Sequence, residues 1–350
     1  MHAPPRIALY CLGDGAFSRH EICGALGAFL TQSSDRLGCA TIMDADAVQM
    51  DLERMATNLR MEEALLSVLD LLDSIPVVVF KGPILTRLIY GDLRKRASAD
   101  NDLWVGEPHV FTALERLLAH GYRPTPGLDA ERALRRVGQV ALFHQDAQRP
   151  SVDLHAQPYS GRFFSVDYAR VAQHVRAVDL HGRQVRTFDE PLAFTHLVAH
   201  FLQHHFELEQ LGDIACAWER WSVLPGFTQA VVALSPVTCT MPALVFTLHL
   251  LASKGAKVEQ AHVLEGGLTM WERVRVRHVL RRFGSRSSKV KAPARSVERK
   301  FLALFLVAPR RLVTEIKRAA LLEDDELASR YGPGPRVKLV WRHLRTKLSE

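Results

Sequence analysis

Apolar residues recur at two different periods along this 350-residue chain, and the switches between them lay out its elements. Over 51–72, Leu59, Leu65, Leu66, Leu69 and Leu72 return at helical spacing, which predicts an amphipathic helix. Residues 75–80 are apolar and rich in valine, and Ser74 and Lys81-Gly82 bound them, as expected of a short buried strand. Pro83 suits the first turn of a new helix, 83–90, where its missing N–H costs nothing. A polar loop over 91–99 carries Arg94, Lys95 and Arg96 and leads to a second strand, 100–105. A helix over 108–120 follows, closed by Gly121. Two strands, 138–145 and 151–157, flank a turn over 146–150; a helix over 163–175 and a strand pair or extended segment over 181–189 complete this half.

From Pro191 onward the pattern is helical, at 192–211, 213–223, 244–252 and 270–283. A Ser/Lys/Arg/Pro-rich linker, 284–296, precedes two basic helical pieces, the second broken at Gly332–Pro335. The first fifty residues are mixed: a short strand over 6–12, a turn at Gly13 and Gly15, a helix over 19–32 and an apolar segment near 39–43. No internal repeat is visible. The expected fold is α+β, a small mixed β-sheet flanked by helices with a mainly α-helical C-terminal half. The length exceeds what one core ordinarily serves. We therefore divide the chain into an N-terminal extension (1–50), a catalytic core (51–190), a helical domain (191–283) and a basic linker with a helical extension (284–350).

With 47% hydrophobic and 24% charged residues, the chain has the composition of a folded protein rather than a disordered one. Its five cysteines, Cys11, Cys23, Cys39, Cys216 and Cys239, are odd in number and form no C-x-x-C, which argues for reduced thiols and against a disulfide framework or structural zinc. The N-terminus lacks the charge and long apolar stretch of a signal peptide, and the apolar runs 241–252 and 301–308 are shorter than the ~20 residues of a bilayer span. These features predict a cytoplasmic protein with no membrane partner. Charge is uneven: residues 271–350 hold 21 Lys and Arg against 8 Asp and Glu, a net of +13, which leaves −6 for the rest. A solvated basic face accounts for this asymmetry, and so does a surface for a polyanion. No RNA-binding signature or basic stripe interleaved with aromatics accompanies it.

The chemistry concentrates between Pro76 and Val105. Asp100 and Asp102 stand at i and i+2, so on a strand both carboxylates project from one face, whereas on a helix they would diverge. Paired carboxylates at a strand end suit a hard cation such as Mg²⁺, whose oxygen shell leaves room for phosphate. Asn101, between them, falls on a face that is normally core and requires a hydrogen-bond partner there. Lys81-Gly82 precedes a helix N-terminus, a favourable place for phosphate. Gly13-Asp14-Gly15 is no phosphate loop, because neither Gly-Lys-Ser/Thr nor Gly-x-Gly-x-x-Gly follows. His196, His200 and His204 share a helix face and His205 extends the cluster, yet the glutamate that a helical zinc protease motif requires is missing. A histidine face packed on the sheet, or one lining the acceptor side, is the expectation rather than a metal site. No Gly-x-Ser-x-Gly elbow supports a serine hydrolase.

Taken in order, Ile75-Pro76, the apolar run 77–80, Lys81-Gly82, Ile89-Tyr90-Gly91, Arg96 and Asp100-Asn101-Asp102-Leu103-Trp104-Val105 resemble a bacterial family of uncharacterised nucleotidyltransferases in the DNA polymerase beta superfamily. A later Asp153-Leu154-His155, the histidine-rich 196–205 and Asp213-Ile214-Ala215 extend the likeness over roughly 55–220. Two departures stand out: Lys-Gly where the superfamily more often has Gly-Gly or Gly-Ser, and Asn101 where an apolar residue is usual. The resemblance implies transfer of NMP from an NTP, expected to be ATP, with release of pyrophosphate at a two-metal Mg²⁺ site. Asp100 and Asp102 would hold the metal on the triphosphate, and Asp153 would complete the site and help deprotonate the acceptor. Lys81, Gly82 and Arg96 would contact the nucleotide, although Lys81 equally suits a partner for Asp100, and Arg96 an ion pair. His155 shares the strand face of Asp153 and suits the site or the core alike. The acceptor, a small molecule, a peptide or protein, or tRNA, is not encoded in any motif, and the oligomeric state is not either. The alternative is a catalytically silent nucleotide-binding, regulatory or partner protein of a biosynthetic complex.

Overall fold

A computed structural model describes residues 45–159, 168–204, 208–238, 240–258 and 264–284, with a few residues outside these ranges. The expectations for 1–44, for His205 and for most of 285–350 lie outside the described residues. In chain order the elements are α1 (Ala45–Leu71), β1 (Val77–Val79), α2 (Gly82–Tyr90), β2 (Asp100–Val105), α3 (Glu107–Ala119), β3 (Tyr122–Pro124), α4 (Ala130–Val137), β4 (Gln139–His144) and β5 (Ser151–His155). A short helical turn α5 (Tyr168–Val171), the hairpin β6 (Val175–Leu180) and β7 (Arg183–Phe188), and the helices α6 (Glu190–Gln203), α7 (Leu208–Trp221), α8 (Phe227–Thr238), α9 (Met241–Ser253) and α10 (Met270–Gly284) follow. The fold is α+β, as the sequence pattern predicts.

Five strands form one mixed sheet in the order β1-β2-β5-β4-β3. β2 and β5 run parallel, and all the other pairs are antiparallel. Parallel neighbours need a long crossover, and here the chain from α3 to β4 provides it. Alternation then sorts the side chains by face. Leu103, Val105, Val152 and Leu154 point to one side and join Leu65, Val68, Leu69 and Leu72 of α1 and Val110, Ala113, Leu114 and Leu117 of α3 in the main core. Each such leucine, wholly withdrawn from water, stabilises the fold by about 1.5–3 kcal/mol. The opposite face carries the polar row of β2 and β5, and aromatic rings cover its lower end. There Phe80 stacks on Phe188 with centroids 5.3 Å apart and meets His196 edge-on at 5.0 Å.

Several expectations needed correction. β3 and α4 were not anticipated; Asp129 caps α4 by accepting from the Arg132 N–H at 3.0 Å. Within the expected helix over 163–175 the chain forms α5 at Tyr168–Val171 and a 3₁₀ turn at Ala172–His174, because Val175 already pairs with Phe188 in the β6–β7 hairpin; residues 163, 165 and 167 lie outside the described residues. The expected helix over 192–211 ends at Gln203, and α7 starts at Leu208. Between them Phe206 takes φ +65°, and its N–H donates to the Phe201 carbonyl at 2.9 Å. α8, with Pro236 in its last turn, was also not anticipated.

The chain comprises two compact units. One contains residues 40–200 and 208–244 and includes the sheet; the other contains 1–39, 201–207 and 245–350. Among the described residues no helix is long and apolar enough to cross a membrane.

Candidate metal centre

The register between β2 and β5 builds the site. Asp100 pairs with Ser151, Asp102 with Asp153 and Trp104 with His155. Because residues two apart share a face, Asp100, Asp102, Asp153 and His155 project from the same side of two adjacent strands. On β4 the residue opposite Asp153 is Ala141, whose small side chain crowds nothing. The three carboxylates named from the sequence are thus brought together, although Asp153 is 51 positions from Asp102 in the chain.

Asp102 lies at the centre and is 1% exposed. Its Oδ1 accepts from Lys81 Nζ at 2.9 Å and from His155 Nε2 at 3.1 Å. Its Oδ2 is buried with no hydrogen-bond partner among the described residues, as is His155 Nδ1. A bare carboxylate oxygen withdrawn from water is costly unless a cation or donor meets it. One donor atom each from Asp102, Asp153 and His155 lie within 4.8 Å of one another, a spacing that one metal ion spans. An orphaned carboxylate oxygen beside two further donors fits the divalent ion that the carboxylate pair predicts.

Electrostatics distribute the charge unevenly across this row. Burial pushes the Asp102 carboxyl up, but the Lys81 ammonium and the His155 hydrogen bond outweigh it and hold it well below the ordinary carboxylate range. Asp100 goes the other way, to about 6, from burial and then from the neighbouring Asp102 and Asp153 charges. Asp153 is raised too, by burial and then by Asp102. One carboxylate therefore carries a secure negative charge while its two neighbours hold theirs at a cost, and a bound cation would remove that cost.

Lys81 ends the β1 segment and occupies the N-cap position of α2. It pairs with Asp102, whereas the sequence offered Asp100 as its partner. Gly82 has φ +65°, and a Cβ there would stand 2.8 Å from the Asp100 carbonyl oxygen and 3.3 Å from Asn101 Oδ1. The close approach that demands glycine is therefore α2 against the backbone of β2, the strand that carries both aspartates. Asn101 finds its partner in the Met61 carbonyl, to which Nδ2 donates at 3.2 Å.

Arg96 pairs with Asp213 rather than with the carboxylate row. Its Nε donates to Asp213 Oδ2 at 2.9 Å, and Tyr90 Oη donates to Asp213 Oδ1 at 2.6 Å. Arg96 Nη1 is buried without a partner among the described residues. Its charge still lowers the Asp100 pKa, though less than Lys81 does. Sequence reasoning missed Asn58. This buried α1 residue donates from Nδ2 to the carbonyls of Leu93 at 2.6 Å and Arg96 at 2.7 Å, while its Oδ1 accepts the Ser98 N–H at 3.2 Å. The loop that delivers Asp100 is thereby tied to α1. Asn58 lies 35–40 residues from these partners, and no local pattern signals it.

The histidine face of α6 behaves as packing. His196 is buried, its Nε2 lies 3.0 Å from the Pro158 carbonyl, and its ring meets those of Phe80, Tyr159 and Phe188. Burial lowers its pKa to about 3, so it is neutral at physiological pH. His144, flanking the site in sequence, lies on β4 beside the His120 carbonyl at 3.0 Å.

Comparison with known proteins agrees with this arrangement. A family model described as "Uncharacterised nucleotidyltransferase" matches residues 17–252, a stretch that includes every residue of the carboxylate row. No curated protein and no solved structure matches the chain. With two thirds of its length matched, carrying the paired strand carboxylates described above, the chain belongs to the uncharacterised nucleotidyltransferase family.

Proposed function

We propose that the protein transfers NMP from an NTP, with ATP the expected donor, to a hydroxyl or phosphate of an acceptor, releasing pyrophosphate, within a catalytic core over 51–190. The observation that carries this reading is the direct register of Asp102 with Asp153 beside a buried carboxylate oxygen that nothing among the described residues satisfies. Asp100, Asp102 and Asp153 are the ligands we assign to Mg²⁺. Bound there, the metal would supply positive charge to the phosphoryl oxygens and acidify the acceptor hydroxyl.

The chain's own residues set the remaining terms. In the reaction the acceptor oxygen forms a bond to the α-phosphorus, the bond from that phosphorus to the bridging oxygen breaks, and pyrophosphate leaves with the electron pair. The acceptor proton, acidified beside the metal, passes to the Asp153 carboxylate as general base. Asp102 cannot take this role, because Lys81 and His155 keep it ionised. The α2 N-terminus at Gly82 offers backbone N–H groups to the triphosphate. Lys81 lies close enough to Asp102 to share its charge with a phosphate oxygen. Arg96 Nη1 is the further cation we assign to the nucleotide, with Asp213 fixing the guanidinium from the other side.

The test is incubation with each α-³²P-labelled NTP and Mg²⁺ in the presence of cell extract, peptide pools or tRNA, beside an Asp100→Asn/Asp102→Asn variant. Label transfer by the wild type alone is expected, and the labelled species identifies the acceptor class. No transfer and no pyrophosphate release with any NTP and any acceptor pool would sink the proposal.

A further inference from the structure

His155 is a histidine in a place where an all-oxygen magnesium site has no use for one. It sits on β5 two residues after Asp153, is 4% exposed, and shares the strand face of both central carboxylates. Its Nε2 lies 3.1 Å from Asp102 Oδ1. Without a metal this contact is the hydrogen bond that Asp102 accepts; adjacent donors on an octahedral ion, each about 2.1 Å from the metal, also stand about 3 Å apart, so an ion that displaces the Nε2 proton finds both atoms at the separation of a ligand pair. The same three residues, Asp102, Asp153 and His155, bring donor atoms within 4.8 Å of one another. Two buried atoms of this group, Asp102 Oδ2 and His155 Nδ1, have no partner among the described residues. The Phe80 ring, edge-on to His155 at 5.0 Å, closes the apolar side and fixes the imidazole plane.

We infer that His155 is a metal ligand, and that the ion between Asp102, Asp153 and His155 sits in a mixed oxygen–nitrogen set that favours Mn²⁺ over Mg²⁺. The inference rests on the metal-site reading above and refines it. Mg²⁺ demands hard oxygen donors and gains little from imidazole, while Mn²⁺ accepts carboxylate and imidazole together. A second ion held by the Asp100 carboxylate would find an oxygen donor there and would remain suited to Mg²⁺. The two positions then differ in selectivity, with the nitrogen-containing one deeper and drier. Lys81 neutralises Asp102 from the strand-end side, so the set carries less negative charge than three free carboxylates would. Lower charge disfavours ions held by charge alone and favours those held by ligand type.

The experiment is pulsed electron paramagnetic resonance on the full-length protein with Mn²⁺ alone, using protein labelled with ¹⁵N-histidine in one arm and at natural abundance in the other. Wild-type protein is expected to bind Mn²⁺ at least tenfold more tightly than Mg²⁺ in competition. It should also show a histidine nitrogen coupling that changes with the isotope. His155→Gln should lose that coupling and weaken Mn²⁺ binding roughly 10- to 100-fold while leaving Mg²⁺ binding within a few-fold. His196→Gln, on the neighbouring helix, should retain the coupling, which separates ligation from loss of packing. Mn²⁺ bound without any histidine coupling would overturn the inference and leave the metal site standing. Absence of Mn²⁺ and Mg²⁺ binding would overturn both.

Discussion

Two carboxylates of the same unit, Glu62 on α1 and Asp102 on β2, are equally removed from water, at 0% and 1% exposure. Their surroundings differ in kind. Glu62 is closed: Arg87 meets it with both Nε and Nη2, the latter at 2.8 Å, and His181 Nε2 lies 2.9 Å from Oε2. Both of its oxygens are engaged, and no second acid stands beside it in this network. Asp102 is half open. One oxygen takes two donors, the other takes none among the described residues, and two more carboxylates share its face of the sheet. A buried carboxylate with both oxygens met serves the fold, whereas a buried acid with one oxygen bare among the described residues, beside two acids that repel it, is poised for something the chain does not itself contain.

That contrast predicts opposite phenotypes. The largest effect belongs to Asp102→Asn, which keeps the shape but removes the charge. Nucleotidyl transfer, read as pyrophosphate release, should fall by roughly 10³-fold or more, the scale on which metal-borne charge stabilisation operates. Glu62→Ala should do the reverse. It removes the shared partner of the half-exposed Arg87 and His181 and should cost about 1–3 kcal/mol in urea denaturation, while metal affinity in the folded fraction stays within a few-fold of wild type. If Glu62→Ala abolished metal binding without unfolding, the two carboxylates would not be separable in function.

The next effect concerns pH. Asp100 has a folded pKa of about 6, above the ordinary carboxylate value, so folding favours its protonated form. Its stabilising contribution is present at acid pH and is lost as pH rises through about 6. Metal-free protein should therefore lose about 1–3 kcal/mol from this group between pH 4 and 7.5. Asp100→Asn should remove the loss, and a saturating divalent cation should reverse it in the wild type. Thermal melts at the two pH values, with and without metal, check this; a wild type whose stability on that limb rises with pH through an Asp100-dependent term would refute it. The smallest effect is Gly82→Ala. The left-handed φ alone costs about 1–2 kcal/mol. The new methyl would also press on the Asp100 carbonyl, so the transfer rate should drop along with the melting temperature.

Much of this arrangement was readable from the chain, and the reasons are local. The strand at Asp100–Val105 is signalled by the apolar run Leu103-Trp104-Val105 after a polar loop, and once it is a strand the two aspartates must share a face. Gly82 and Pro83 marked the start of α2. The parallel register that sets Asp153 beside Asp102 rather than beside Asp100 was not readable, since pairing between distant strands leaves no trace at fixed spacing. The partners of the polar groups were equally hidden. Lys81 bonds Asp102, Arg96 bonds Asp213 across 117 positions, and Asn58 holds a loop 35–40 residues away. Short elements were lost for a related reason: β3 has three residues and α4 eight, too few for periodicity to declare itself.

Isothermal titration of the full-length protein with the non-hydrolysable donor α,β-methylene-ATP, with and without divalent metal, decides whether the half-open carboxylate row is a metal-dependent nucleotide site. Binding should require Mg²⁺ or Mn²⁺, vanish with EDTA, and be lost in Asp100→Asn/Asp102→Asn protein that retains its melting transition. Binding that is indifferent to metal and to both aspartates, or no binding by well-folded wild type in any metal, would contradict the account.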